Sequence, residues 1–98
     1  MRLPMSDPRL KKIRYRAWHR GFREADMILG AFADQHLAEL SAAQLDAFER
    51  LIDQPDPDIY AWIVGQAEAP EAFRGEVLDL IRTFRFNTPA ARGEYPGA

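Results

Sequence analysis

No cysteine occurs anywhere in the 98 residues, and that one absence removes disulfides, thiolate metal sites, iron–sulfur ligation and cysteine nucleophiles together. A reducing compartment suits such a chain, and a cytoplasmic location is the expectation. Long apolar runs are missing as well. Nothing approaches the roughly 20 residues that a membrane span needs, and no signal-type apolar stretch follows Met1, so membrane insertion and secretion are not expected. The arginine-rich opening RLPMSDPRLKKIRYRAWHR has the composition of a mitochondrial transit peptide, but helix-start signals lie inside it, and it reads as part of the fold.

Catalytic equipment is equally scarce. Histidine is limited to His19 and His36, and serine to Ser6 and Ser41. Two imidazoles make a poor zinc site, and both serines are better explained as helix-start residues. No G-x-G-x-x-G, no G-x-x-x-x-G-K-[ST] and no H-E-x-x-H is present. Asp and Glu are abundant, but no pair stands apart as a general acid and base. The expectation is a protein that is not an enzyme and holds neither a metal nor a stably bound cofactor.

What is present is the profile of one small globular domain: 47% apolar, 29% charged and 11% aromatic residues. The charges are unevenly placed. Residues 1–23 hold eight Lys/Arg against Asp7 alone, a balance of +7, whereas residues 24–98 hold five arginines against fourteen acids, a balance of −9. Two readings fit: a basic helix lying beside acidic neighbours of the same fold, or a basic face that steers the molecule toward an acidic partner. Nucleic acid is disfavoured, because a pI near 5.6 and fourteen downstream acids would repel phosphates.

The apolar periodicity is helical throughout and predicts an all-α, single-domain bundle of five helices over residues 1–86, with a flexible tail over 87–98. Asp7 as N-cap and Pro8 at the first position start a helix over about 8–19. A second should run from Phe22 to near Glu39, with Ala25, Ile28, Leu29 and Phe32 inward. LSAAQL offers a third start: Ser41 and Gln44 form a capping box, and Leu40 and Leu45 a hydrophobic staple. Pro55 stops that helix. Asp56 as N-cap, Pro57 at the first position and Gly65 as terminator frame a fourth, and Pro70 opens a fifth that ends near Phe86.

WHRGFREAD, residues 18–26, breaks local rules, since Arg20 and Gly21 sit where the second helix is about to begin. A cation is disfavoured at a helix N-terminus, and glycine costs roughly 0.5–1 kcal/mol inside a helix. Arg20 and Glu24 share one face, but an exposed pair in that order contributes only about 0.3–0.5 kcal/mol. An arginine fork and a carboxylate beside a glycine that admits another backbone would instead anchor a partner chain. A turn between helices one and two is the simpler account of Gly21. Tyr60 and Trp62 carry the same ambiguity, with the core favoured for Trp62.

RYRAWHRGFREADMILGAF, in which Arg20-Gly21-Phe22-Arg23-Glu24 matches R-G-x-x-E and Asp26 the acid that follows, resembles the small flavinylation factors of succinate dehydrogenase. DQPDPDIYAWI is similar to that family's second signature, and the likeness spans roughly residues 9–85. The resemblance implies a five-helix assembly chaperone without catalytic chemistry. Its partner would be the flavoprotein subunit of succinate dehydrogenase, and in bacteria also that of fumarate reductase, and FAD would belong to that client. Carried across, Arg20, Gly21, Glu24 and Asp26 match the partner-contacting motif, while Asp58, Tyr60 and Trp62 match the second signature. Relatives of the family have also been described as antitoxins, which makes an antitoxin-like regulatory module the alternative.

Overall fold

The Asp7 carboxylate accepts the Arg9 N–H at 2.8 Å, and Pro8 follows in the first turn, so α1 (Pro8–Trp18) begins where its cap and its proline place it. The computed structural model describes residues 7–88. Through them run α2 (Arg23–His36), α3 (Ala42–Ile52), α4 (Asp56–Val64) and α5 (Glu76–Asn87), with 3₁₀ turns at Leu37–Glu39 and Glu71–Phe73 and no strand among the described residues. The chain adopts the expected all-α, five-helix architecture. The tail expected over 87–98 lies, beyond Asn87 and Thr88, outside the described residues.

The α3 start forms as the sequence predicts. Ser41 Oγ accepts the Gln44 N–H at 3.1 Å, and the Gln44 side chain accepts the Ser41 N–H at 2.8 Å, which satisfies two of the donors a helix start leaves open. Gly65 ends α4 in the left-handed conformation at φ +83°. Three boundaries differ from expectation. α2 stops at His36 and tightens into a 3₁₀ turn. Pro55, not Asp56, is the N-cap of α4, so Asp56 and Pro57 are its first two residues. The segment opened by Pro70 makes only a 3₁₀ turn before Gly75, at φ +136°, resets the chain for α5.

Phe32 of α2 sits at the centre of the core. Its ring lies 5.6 Å from that of Phe48 on α3 and 5.6 Å, edge-on, from that of Phe84 on α5. Leu10, Ile13 and Ala17 of α1, Ile59 of α4 and Ile81 of α5 complete it, all essentially inaccessible. Each large apolar side chain sealed this way contributes about 1.5–3 kcal/mol. His36 packs at the edge, its ring 5.3 Å from Phe32 and 5.5 Å from Phe84. No described helix is long and apolar enough to cross a membrane.

Gly30 sets how closely α1 approaches α2. A Cβ built there would lie closer than 3.0 Å to three ring atoms of Trp18, so the indole rests flat on bare backbone. The Trp18 Nε1–H donates to Asp34 Oδ2 at 3.2 Å, one turn further along α2. Arginines then hold α1 from both flanks. Arg14 pairs with Asp34 on α2; Arg9 donates to Asp46 at 2.6 Å and to Glu49 at 2.7 Å on α3, and Arg16 pairs with Asp53 at the α3 end. Hydrogen bonds to Asp46 first and Glu49 second hold the Arg9 guanidinium pKa above its ordinary value. Three cations of the basic opening segment are thus neutralised by acids of the same fold.

Candidate functional site

Arg20 and Gly21 lie between two helices, not at the start of one. α1 ends at Trp18 and α2 begins at Arg23, with Phe22 as an extended N-cap residue that has no side-chain capping bond. The dipole penalty read from the sequence therefore does not arise. The Arg20 side chain, only 10% exposed, runs across to the α3–α4 junction instead. There it pairs with Asp56 and donates to the Ile52 carbonyl and, at 2.8 Å, to the Gln54 carbonyl. Ile52 is the last residue of α3, so a guanidinium supplied from elsewhere in the chain meets carbonyls at that helix end and complements its dipole.

The exposed arginine fork expected at position 20 is therefore turned inward. The physical reason is acceptor supply: the α3 end and Asp56 offer several oxygens in one place, which suits a planar five-donor group. Asp26 is also drawn into the turn, its Oδ1 accepting the Arg20 N–H at 2.9 Å. Together these contacts clamp the chain on either side of Gly21. Sequence reasoning missed Asp56 as the partner of Arg20, because the two are 36 residues apart and Asp56 had a local reading as an N-cap.

What the clamp displays is open. Gly21 is exposed at φ +84°, and a Cβ there would meet nothing within 4 Å. Arg23 and Glu24 follow it on the first turn of α2, both exposed, and neither side chain has a hydrogen-bond or ion-pair partner among the described residues. Phe22 and Tyr60 form a half-buried aromatic pair with ring centres 5.5 Å apart, which joins the N-cap residue of α2 to the middle of α4. Asp58 is exposed in the first turn of α4.

The second signature therefore splits. Asp58 and Tyr60 reach the surface, whereas Trp62, 7% exposed, stacks on Phe73 with ring centres 5.4 Å apart and belongs to the core. Its carbonyl accepts two bonds from Arg82, at 3.0 and 2.8 Å. Among the described residues no group of His, Asp and Glu is arranged to hold a metal ion. The turn thus presents an exposed carboxylate and an exposed guanidinium, neither with a partner among the described residues, together with a bare stretch of backbone and an aromatic floor, which suits recognition of a polypeptide.

A family model described as flavinator of succinate dehydrogenase matches residues 11–85. Among similar proteins, succinate dehydrogenase assembly factor 2, mitochondrial, of Dictyostelium discoideum is 43% identical over 79 residues, covering 81% of this chain and 56% of that protein. Its Danio rerio namesake is 37% identical over 83 residues, covering 83% and 52%. The FAD assembly factor SdhE of Acetobacter pasteurianus is 32% identical over 63 residues, covering 64% and 58%. The chain thus spans about half the length of the relatives it matches. These names correct the expectation of a cytoplasmic protein, because the Dictyostelium, Danio and Meyerozyma guilliermondii relatives are each called mitochondrial. Absence of cysteine speaks to redox compartment and cannot tell one reducing compartment from another. The antitoxin alternative finds no support among these relatives.

Proposed function

The chain belongs to the family of succinate dehydrogenase flavinators, and from that premise we propose that it binds the flavoprotein subunit of succinate dehydrogenase and promotes covalent attachment of FAD to it. The observation that carries the reading is the clamped turn. Arg20 and Asp26 hold Gly21 exposed and left-handed, beside a carboxylate at Glu24 that has no partner of its own among the described residues.

In this proposal the chain contributes no bond-making group, and FAD belongs to the client. Binding alone suffices if the factor prefers the client arrangement in which flavin and acceptor side chain meet. Each 1.4 kcal/mol of differential affinity shifts that equilibrium about tenfold. A turn fixed in advance does not lose backbone entropy on docking, which favours affinity from a small surface. Gly21 admits the client backbone, Glu24 and Arg23 supply charge-assisted hydrogen bonds, and Phe22 with Tyr60 supplies apolar area. The flavoprotein subunit of fumarate reductase is a second client to test in the same assay.

The test is reconstitution. Purified apo-flavoprotein subunit is incubated with FAD, with and without this chain, and covalently held flavin is read as in-gel fluorescence after denaturation. A clear rise in the rate or yield of fluorescent subunit with this chain, and little or none with a Glu24→Arg variant, is expected. Equal fluorescence in all three samples would remove the proposal.

A further inference from the structure

The cations of α1 are of two kinds. Arg9, Arg14 and Arg16 lie on its flanks and are bound to acids of α2 and α3. Lys11 and Lys12 are exposed, and neither has a hydrogen-bond or ion-pair partner among the described residues. With about 3.6 residues per turn, Lys11, Lys12, Tyr15 and His19 share the crest of the helix, opposite the buried Leu10, Ile13 and Ala17. Tyr15 is 64% exposed, a large aromatic surface on a helix that already buries a complete apolar stripe elsewhere.

The crest is also ordered. The Tyr15 and His19 rings stack at 4.0 Å with 18° between their planes. His19 Nδ1 lies 2.8 Å from the Tyr15 carbonyl, an acceptor, so Nδ1 carries the hydrogen and Nε2 has no partner among the described residues. Two shallow basins flank the stack, about 340 Å³ beside Lys11 and Trp18 and about 260 Å³ beside Arg16 and Asp56. The second reaches Arg20, so the crest runs on toward the Gly21 turn.

We propose that this crest is a second docking surface, and that it takes an acidic segment of the flavoprotein client. The assignment rests on the function proposed above and adds to it the chemistry of the partner surface. Charge complementarity selects the occupant: the arginines of α1 already have carboxylates from within the fold, whereas Lys11 and Lys12 have none among the described residues. The fixed aromatic stack offers a flat apolar face of the kind that anchors interfaces. Lysines at a rim act chiefly on the encounter rate, and the aromatic platform on the dissociation rate.

The experiment is surface plasmon resonance of the full chain on immobilised flavoprotein subunit, at low salt and at about 0.5 M salt. The double variant Lys11→Glu, Lys12→Glu should associate about tenfold more slowly at low salt, with the gap closing at high salt. Tyr15→Ala should dissociate about tenfold faster with little change in association. The double variant Arg50→Glu, Arg85→Glu makes the same charge change away from α1 and should alter either rate less than twofold. Equal slowing by both charge pairs would reduce the effect to net charge and overturn the crest, as would unchanged rates for the lysine pair. Vesicles of 30% phosphatidylserine are run in parallel. Lysine-dependent capture by vesicles with unaltered client kinetics would assign the crest to lipid and overturn the proposal. Failure of the unmodified chain to bind the client at all would instead bring down the function reading itself.

Discussion

Replacing Arg20 with alanine separates a strut from a contact. The guanidinium serves three acceptors at 10% exposure, and its carboxylate partner Asp56 is 22% exposed. Truncation leaves that carboxylate and two backbone carbonyls near the α3 end without their donor. Removing one partner of a fully buried ion pair costs about 3–5 kcal/mol, and a hydrogen bond to a charged group contributes about 1.5–3 kcal/mol. Water reaches Asp56 and restores part of this, so the net loss should be about 2–3 kcal/mol. In a domain of this size each kcal/mol moves Tm by roughly 4–8 °C, so the melt should fall by about 10–20 °C. Circular dichroism at 222 nm reads it directly. Arg20→Lys, which keeps the charge and loses the fork, should recover less than half of the loss. A double-mutant cycle with Asp56→Ala should give a coupling of at least about 1 kcal/mol. A melt within about 3 °C of the unmodified protein, with client binding lost, would refute the strut and make Arg20 a direct contact.

Gly21→Arg should abolish client binding in pull-down while the helical spectrum persists, because the space around Gly21 is open. Its left-handed φ imposes a backbone penalty of about 1 kcal/mol, so Tm should fall by a few degrees, and Gly21→Ala should show the same small fall while retaining more binding. Gly30→Ala should destabilise by about 1–3 kcal/mol in chemical denaturation, although the same exchange in an exposed helix stabilises, because the new methyl collides with Trp18. Ser41→Ala, which removes half of the capping box, should cost about 1 kcal/mol in the same measurement.

Starts and stops written in adjacent residues are legible in the sequence alone. Asp7-Pro8, the Ser41/Gln44 box and Gly65 each act within a turn of themselves, and each lies where its local chemistry put it. Contacts between distant residues are not. Arg20 reads as an anomaly only until the α3–α4 junction, 32 to 36 residues away, is folded against it. Gly30 carries no sequence signal, because its small size is demanded by an indole on another helix. The N-cap reading of Asp56 fails by one residue, since Pro55 takes the cap position and leaves the Asp56 carboxylate, in the first turn of α4, to meet the Arg20 guanidinium. Of the candidate site, Gly21 and Glu24 were legible as an open patch, while the inward turn of Arg20 was not.

The split between arginines on the flanks of α1 and lysines on its crest makes the two sets chemically separable. An acylating reagent consumes ammonium groups and leaves guanidiniums alone, so mild acetylation would strip the outward charge while every flanking ion pair survived. A molecule treated in that way would melt as before and meet its surroundings as a different electrostatic object.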